Sequence, residues 1–378
     1  MRSTGHLFLA TLLVAFLLQS LLWRTVHFVD ERLWVSTVVA VAGDLSSGNR
    51  SPTLADYIDT QLGMAPSFIA ALAYLGGSTG AVSLKTSVAL LNALSIAGIV
   101  VVCKRLRPDS LWWLAAGAIA TGHALYVYAT PPDAVMAPLM TLLVFATLLV
   151  HEHHHTLPYW MPLILGATAG LGLATRLPDT VLLSMPLLMF LLPTVGVRYI
   201  VLILVSAGAT AIATNPLLWF VPLLHTWHIL ARSAWQFNHG PVPGATDLGL
   251  VDFLLYTPLT VLAVFFTVLC AVLGRMHILP FRSSLLVLIT ITGVVSAVLL
   301  SAAFQTLRYF FPLIWMWDTI LPLSVLCLAN KITFSFANSA RARLVLHSFA
   351  AASLVVFVVG SHLVLLFHHI LLPLPSVP

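Results

Sequence analysis

Long runs of uncharged, apolar residues recur along this chain of 378 residues, and they limit its fold more than any other feature. Only 8% of the residues are charged and 60% are hydrophobic, whereas a soluble domain carries about 25% charged residues. A run of roughly 20 apolar residues is long enough to cross a bilayer as a helix. Helices also satisfy their own backbone hydrogen bonds in lipid. The sequence therefore predicts an all-α, polytopic integral membrane protein.

The apolar runs predict about eleven transmembrane spans in one domain over residues 1–378, with boundaries good to a few residues. Two connections are long for so compact a chain, 24–80 and 216–250. Within the first connection, Leu33–Ala42 and Ala65–Leu75 are apolar but too short to span, which predicts interfacial helices lying along the membrane. The predicted spans are 7–23, 82–102, 111–128, 134–150, 157–174, 179–195, 199–215, 251–273, 283–304, 309–329 and 344–368.

The charged residues predict an orientation. With the N-terminus in the cytoplasm, ten of the 17 Lys and Arg residues fall in inside loops, as the positive-inside rule favours. They are scattered at segment ends and form no basic stripe, which argues against nucleic acid as a partner. Acidic residues contribute little to the orientation of membrane spans, so their clustering at one face indicates that they have a functional role. Nine of the 12 acidic residues fall outside, namely Asp30, Glu31, Asp44, Asp56, Asp59, Asp133, Asp179, Asp247 and Asp252.

Histidine and cysteine spacing gives little support for a cofactor. The three cysteines have no CxxC spacing, which favours core packing. The sequence leaves open a site for a divalent metal ion, held by Asp133 or by His225 and His228. Histidines near Trp more often pack at an interface. The tract His151–His155 is interpreted as a solvated turn at the opposite, cytoplasmic face.

A set of short polar motifs follows the predicted spans in a fixed order, and together they resemble the motifs of GT-C superfamily glycosyltransferases. The closest likeness is to the lipid A aminoarabinose transferase and protein O-mannosyltransferase branches, over roughly residues 1–330. In place of a basic residue that some members carry before the surface helix, this chain has Thr60–Met64. The soluble C-terminal domain of several members has no counterpart, which leaves acceptor recognition undefined. The motifs are Asp30-Glu31, the Ala40–Gly48 region, Pro66–Gly77, Thr130–Ala134, Gly170–Arg176, Asn215–Trp219 and Arg308–Pro312.

The resemblance implies an inverting glycosyltransferase that moves a sugar from a polyprenyl-phosphate donor to a lipid, glycan or protein acceptor at the outer face. An acceptor hydroxyl needs a general base, for which a carboxylate is suited. The phosphate leaving group needs cations, and arginine binds phosphate oxygens through two donors. The implied catalytic residues are Asp30 as general base, Glu31 and Asp133. The implied substrate or lipid-phosphate contacts are Arg176, Arg232, Trp235, Arg308 and Tyr309.

Each of these residues also has a purely structural interpretation. Asp30 suits the N-cap of the first interfacial helix, and Asp133 suits the N-terminal turn of a span. Arg176 and Arg308 can extend to the membrane surface. For the whole chain, the alternatives are a transporter or lipid flippase, and a non-catalytic assembly subunit. Transporters often show internal repeats and charges near mid-membrane. No repeat is visible here and most acids lie at one face, which favours an enzyme.

Overall fold

The structure is a computed structural model that describes residues 2–23, 31–48, 64–108, 112–123, 131–158 and 160–220, together with Trp227, Ser284, Ile291 and Thr319. Every regular element within these residues is an α-helix, as predicted. In chain order the helices are α1 (Arg2–Trp23), α2 (Glu31–Ser47), α3 (Met64–Leu75), α4 (Gly80–Leu106), α5 (Trp112–His123), α6 (Pro131–His153), α7 (Met161–Thr175), α8 (Leu177–Val195), α9 (Val197–Thr214) and the single turn α10 (Leu217–Phe220).

Four of the described helices contain a stretch that is long and apolar enough to cross a membrane. These helices are α1, α4, α6 and α9. Three further apolar stretches, in α3, α7 and α8, are shorter. The predicted spans up to residue 215 coincide with helices, although residues 124–128 of the span 111–128 lie outside the described residues. The four later predicted spans lie outside them as well, apart from single positions. An integral membrane protein is therefore consistent with the fold.

The packing contacts show how the long helices run relative to one another. Between α7 and α9, Gly166 faces Ile203 and Gly170 faces Ala207, so these two helices are parallel. Added Cβ atoms at either glycine would overlap the facing carbonyl oxygen, so the helices approach closely only because both positions lack a side chain. Helices α1 and α4 run in opposite directions. Hydrogen bonds join α1 to α4 and to α5.

The polar contacts of α1 are made by Gln19, which is fully buried. Its Nε2 donates to the carbonyl oxygen of Thr121 on α5 at 3.2 Å. Its Oε1 accepts from Trp23 Nε1 at 3.0 Å and from Asn92 Nδ2 on α4 at 3.4 Å. Hydrogen bonds between helices partly replace the hydrophobic driving force that lipid removes. This network therefore fixes how α1 sits against its neighbours.

The alternating directions divide the bundle into two ends. One end holds Trp23, helices α2 and α3, the first turns of α4 and α6, the α7–α8 junction and the last turn of α9; we call it the Glu31 end. The opposite end holds the first turn of α1, the last turns of α4 and α6, the first turn of α7 and the α8–α9 junction; we call it the Arg105 end. Among the described residues, helices α2 and α3 pack against the helices of the Glu31 end.

Helix α3 is 12 residues long, which gives a length of about 18 Å against a hydrocarbon core of about 30 Å. It is too short to span, as predicted, and Gly76-Gly77 ends it through a positive φ of 98° at Gly77. Seven of its residues are buried, from Met64 to Ala71. The Oγ of Ser87 on α4 donates to the carbonyl oxygen of Pro66 at 2.8 Å. The described α3 is therefore packed into the end of the bundle.

Candidate functional site

An ion pair joins α2 to α4 at the Glu31 end. The Nζ of Lys85 lies 3.4 Å from Oε1 of Glu31, and each side chain is 15% exposed. Helix α2 begins at Glu31, where a carboxylate interacts favourably with the helix dipole. Lys85 lies in the second turn of α4. The pair therefore holds a carboxylate between two helices, directly after Asp30 in the chain.

The turn between α3 and α4 supports the lysine. Ser78 and Ser83 share a short hydrogen bond between their hydroxyls, and Ser78 Oγ also donates to the carbonyl oxygen of Ala73 at 3.0 Å. Gly80 lies against Val35 of α2 so closely that a Cβ would meet the valine side chain at 2.9 Å. These contacts fix the start of α4, and hence Lys85, against the first turns of α2.

Arg176 lies at the break between α7 and α8 and is only 3% exposed. Its backbone is extended, with φ −158° and ψ 95°, and its N–H donates to the carbonyl oxygen of Gly172 at 2.6 Å. Its carbonyl oxygen accepts from Thr180 Oγ1 at 2.8 Å. An arginine that only extended to the membrane surface would keep its head in water. The enclosed side chain of Arg176 favours a buried contact over a surface anchor.

Two polar groups beside Arg176 bear on what this region can hold. Thr175 is fully buried, and within the described part of the chain its Oγ1 meets no hydrogen-bond partner. Such a hydroxyl is free to bond a water or a ligand that enters the region. A Cβ at Gly172 would lie 2.8 Å from Thr180 Oγ1. The glycine-rich end of α7 therefore lets α8 approach and enclose the junction.

Asn215 and Pro216 end α9 at the Glu31 end, as the sequence predicts for an Asn-Pro stop. The last helical residue is Thr214, and buried Asn215 accepts from the Leu218 N–H at 3.0 Å. The ring of Trp219 then meets Phe68 of α3 edge to face, with ring centroids 5.3 Å apart. The entry to the predicted second outside connection, 216–250, therefore packs on α3.

The predicted site residues are described to different extents. Glu31 and Arg176 lie at the Glu31 end with their side chains described. Asp133 lies in the first turn of α6 at the same end, and only its backbone is described. Their catalytic and binding roles stay predictions. Asp30, Arg232, Trp235, Arg308 and Tyr309 lie outside the described residues.

Lys85 is a charged residue of this region that the sequence analysis did not select. Its signal is a single lysine within an otherwise apolar span, at the acid-rich face. Intramembrane cations usually have a partner or a function. That signal marks Lys85 as special, but it does not identify Glu31 as its partner.

The histidine tract at the Arg105 end differs from the predicted turn. His151 and His153 belong to the last turn of α6, and both are partly buried. The His151 ring stacks on Phe190 of α8, with centroids 4.3 Å apart. Its Nδ1 lies 3.4 Å from Glu152 Oε1 and 3.2 Å from Ser284 Oγ. The interpretation as a fully solvated turn is wrong for these residues, because the helix continues and α8 covers it.

Within the described ranges no three His, Cys, Asp or Glu residues are grouped so that they could hold a metal ion. Cys103 is free and buried, in keeping with a packing role. Comparison with protein-family models, with curated proteins and with solved structures gives no match. The described arrangement can hold a carboxylate against a lysine, and an enclosed arginine beside an unpaired hydroxyl, at one end of a helical bundle.

Proposed function

We propose that this protein is an integral-membrane glycosyltransferase with a GT-C-like fold of about eleven spans. It moves a sugar, with inversion, from a polyprenyl-phosphate donor to an acceptor at its outer face. The N-terminus is cytoplasmic and the Glu31 end faces outside. The membrane is the inner membrane in a prokaryote and the ER membrane in a eukaryote.

The observation that carries this proposal is the gathering of selected charges at the Glu31 end. Glu31, Arg176 and the backbone of Asp133 belong to three separate helical regions, yet all lie at that end of the bundle. Helices α2 and α3 pack there as well. Chemistry at a membrane surface needs acids and cations together at one end, next to apolar helices that accept a lipid carrier.

The ion pair supports unequal roles for the two neighbouring acids. The Nζ of Lys85 pairs with one oxygen of Glu31 and holds that carboxylate against α4. Glu31 is thereby suited to orienting α2 and the adjacent Asp30. Asp30 is the general base that takes the proton from the acceptor hydroxyl. Arg176 stabilises the charge that develops on the departing lipid phosphate.

The test is turnover by the full-length protein reconstituted in lipid with a panel of radiolabelled polyprenyl-phosphate sugars, measured as release of the carrier phosphate. Asp30→Asn should bind the active donor normally and lose about 100-fold or more in turnover, because a general base contributes about that much. The control is Asp44→Asn, the same change near the other end of α2, which should retain turnover.

Near-normal turnover by Asp30→Asn removes Asp30 from the mechanism. Release from none of the donors, alongside measured movement of lipid or solute across the vesicle membrane, favours the transporter or flippase. A lipid-sized groove along α4 makes the measurement of lipid movement a necessary part of this test.

A further inference from the structure

A groove of about 520 Å³ runs along the outside of α4, between α1, α6 and α7. At the Arg105 end it is lined by Thr4, Arg105 and Trp160, and towards the Glu31 end by Leu91, Val135 and Leu171. Its volume is within the range of about 300–1,000 Å³ for small-molecule sites. Leu94 and Ile164 line it and are 37% and 46% exposed. The groove is therefore open to its surroundings along its length.

The walls of the groove suit hydrocarbon. Thr4 carries a hydroxyl at the Arg105 end of the groove. The hydroxyls further along are already used by their own helices: Ser95 Oγ donates to the carbonyl oxygen of Leu91 at 3.0 Å, and Thr168 Oγ1 donates to that of Ile164 at 2.9 Å. They offer a ligand little hydrogen bonding. A polar solute would lose its hydration here without compensation, whereas an alkyl chain would not.

Among the described residues that line the groove, Arg105 is the charged one, and it lies at one end. Its side chain is partly buried, and in the described part of the chain no carboxylate pairs with it. Lys104 and Arg107 lie beside it in the sequence and add positive charge to the same end. A half-buried guanidinium above an apolar groove is complementary to an anionic phosphate that carries a hydrocarbon chain.

The dimensions agree with one chain from one leaflet. From Leu91 to Arg105 the groove follows α4 for about 21 Å at 1.5 Å per residue. Half of the hydrocarbon core is about 15 Å. An acyl chain whose headgroup lies at Arg105 therefore fits within the groove, without reaching the Glu31 end.

We infer that this groove is a binding site for an anionic phospholipid, with its phosphate at Arg105 and an acyl chain between α4, α6 and α7. The site is separate from the proposed catalytic site, because its charged end lies at the opposite end of the bundle. It does not depend on the glycosyltransferase assignment.

The experiment uses the full-length protein in detergent, titrated with phosphatidylglycerol or phosphatidylcholine, with bound lipids counted by native mass spectrometry. The wild type should retain a first phosphatidylglycerol in preference to phosphatidylcholine. Arg105→Gln should reduce that preference by about fivefold, the effect of one cation near a headgroup, and Arg105→Lys should keep most of it. Arg198→Gln, which removes an exposed charge at the same end, should leave it unchanged.

Two further variants test the groove itself. Leu94→Trp and Ile164→Trp place a large side chain in the groove from two different helices, at positions exposed enough to accept it. Both should lose the first bound lipid of either kind while keeping a monodisperse profile and the wild-type melting temperature.

Equal effects of Arg105→Gln and Arg198→Gln would overturn the proposal, because the preference would then come from diffuse charge. Retention of the lipid by both folded tryptophan variants would overturn it too. Displacement of phosphatidylglycerol by a polyprenyl phosphate, but not by inorganic phosphate, would assign the groove to that carrier. That outcome would contradict the inference while leaving the test of turnover unaffected.

Discussion

The two ends of the bundle use charged residues in opposite ways. At the Glu31 end, Glu31 and Lys85 pair between helices and Arg176 is enclosed at a helix break. At the Arg105 end, Lys104 donates to the carbonyl oxygen of Pro108, just past the end of α4, and lies 5.4 Å above the Trp113 ring. Arg105 faces the apolar groove. Charges packed among helices fix geometry, whereas charges at the edge of a bundle meet the membrane surface.

The largest expected effect tests whether both ends belong to one rigid bundle, since α7 and α9 connect them. Gly170→Leu would push a side chain into the carbonyl oxygen of Ala207 and the Cβ of Thr210. We expect it to lower the free energy of unfolding by about 3 kcal/mol or more, measured by reversible unfolding in mixed micelles. Gly166→Leu, nearer the Arg105 end, should act similarly.

The matched control is Gly208→Leu, because Gly208 lies on α9 with open space where its Cβ would be. That variant should be neutral or slightly more stable, since leucine has the higher helix propensity. Wild-type stability of Gly170→Leu would show that α7 and α9 are not in close contact, and the two ends would then have to be treated as separate bodies.

A smaller effect should separate the two arginines. Arg176→Gln removes a charge that is 3% exposed, and leaving its surroundings unsatisfied should cost about 2 kcal/mol of unfolding free energy. Arg105→Gln removes a partly buried charge and should change it by less than about 0.5 kcal/mol in lipid-free detergent. Equal losses from the two variants would contradict the contrast between the ends.

The helices themselves could be predicted from the sequence because their signals are local. The apolar run predicts a span over 179–195, and α8 covers Leu177–Val195. The Gly76-Gly77 pair predicts the end of α3, and Asn215-Pro216 predicts the end of α9. Apolar runs and turn residues carry this information within a few positions.

The site could be predicted only in part because its contacts join distant segments. The sequence selects Glu31 for its place after a span, but its partner Lys85 lies on another helix. Arg176 has a basic side chain at the end of a span, which fits either a surface anchor or a buried contact. Its burial is decided by how closely α8 approaches Gly172. Such packing depends on pairs of helices and has no signature in a single segment.

The smallest expected effect concerns the ion pair at the Glu31 end. The cycle of Glu31→Gln, Lys85→Gln and the double variant should give a coupling of about 1 kcal/mol. This coupling energy is at the upper limit for exposed ion pairs. We expect so high a value because both side chains are only 15% exposed. The measurement is the free energy of unfolding in mixed micelles for all four proteins.

A cycle that replaces Glu31 by Asp44 in the same helix supplies the control. Asp44 lies thirteen residues further along α2, about 20 Å away at 1.5 Å per residue, so its coupling to Lys85 should be zero within error. Equal coupling of both acids to Lys85 would mean that the lysine responds to the general charge of α2. The Glu31 end would then resemble the Arg105 end, where charge acts at the membrane surface. Coupling confined to Glu31 would instead make Lys85 the residue that fixes the first turn of α2, and with it the position of Asp30.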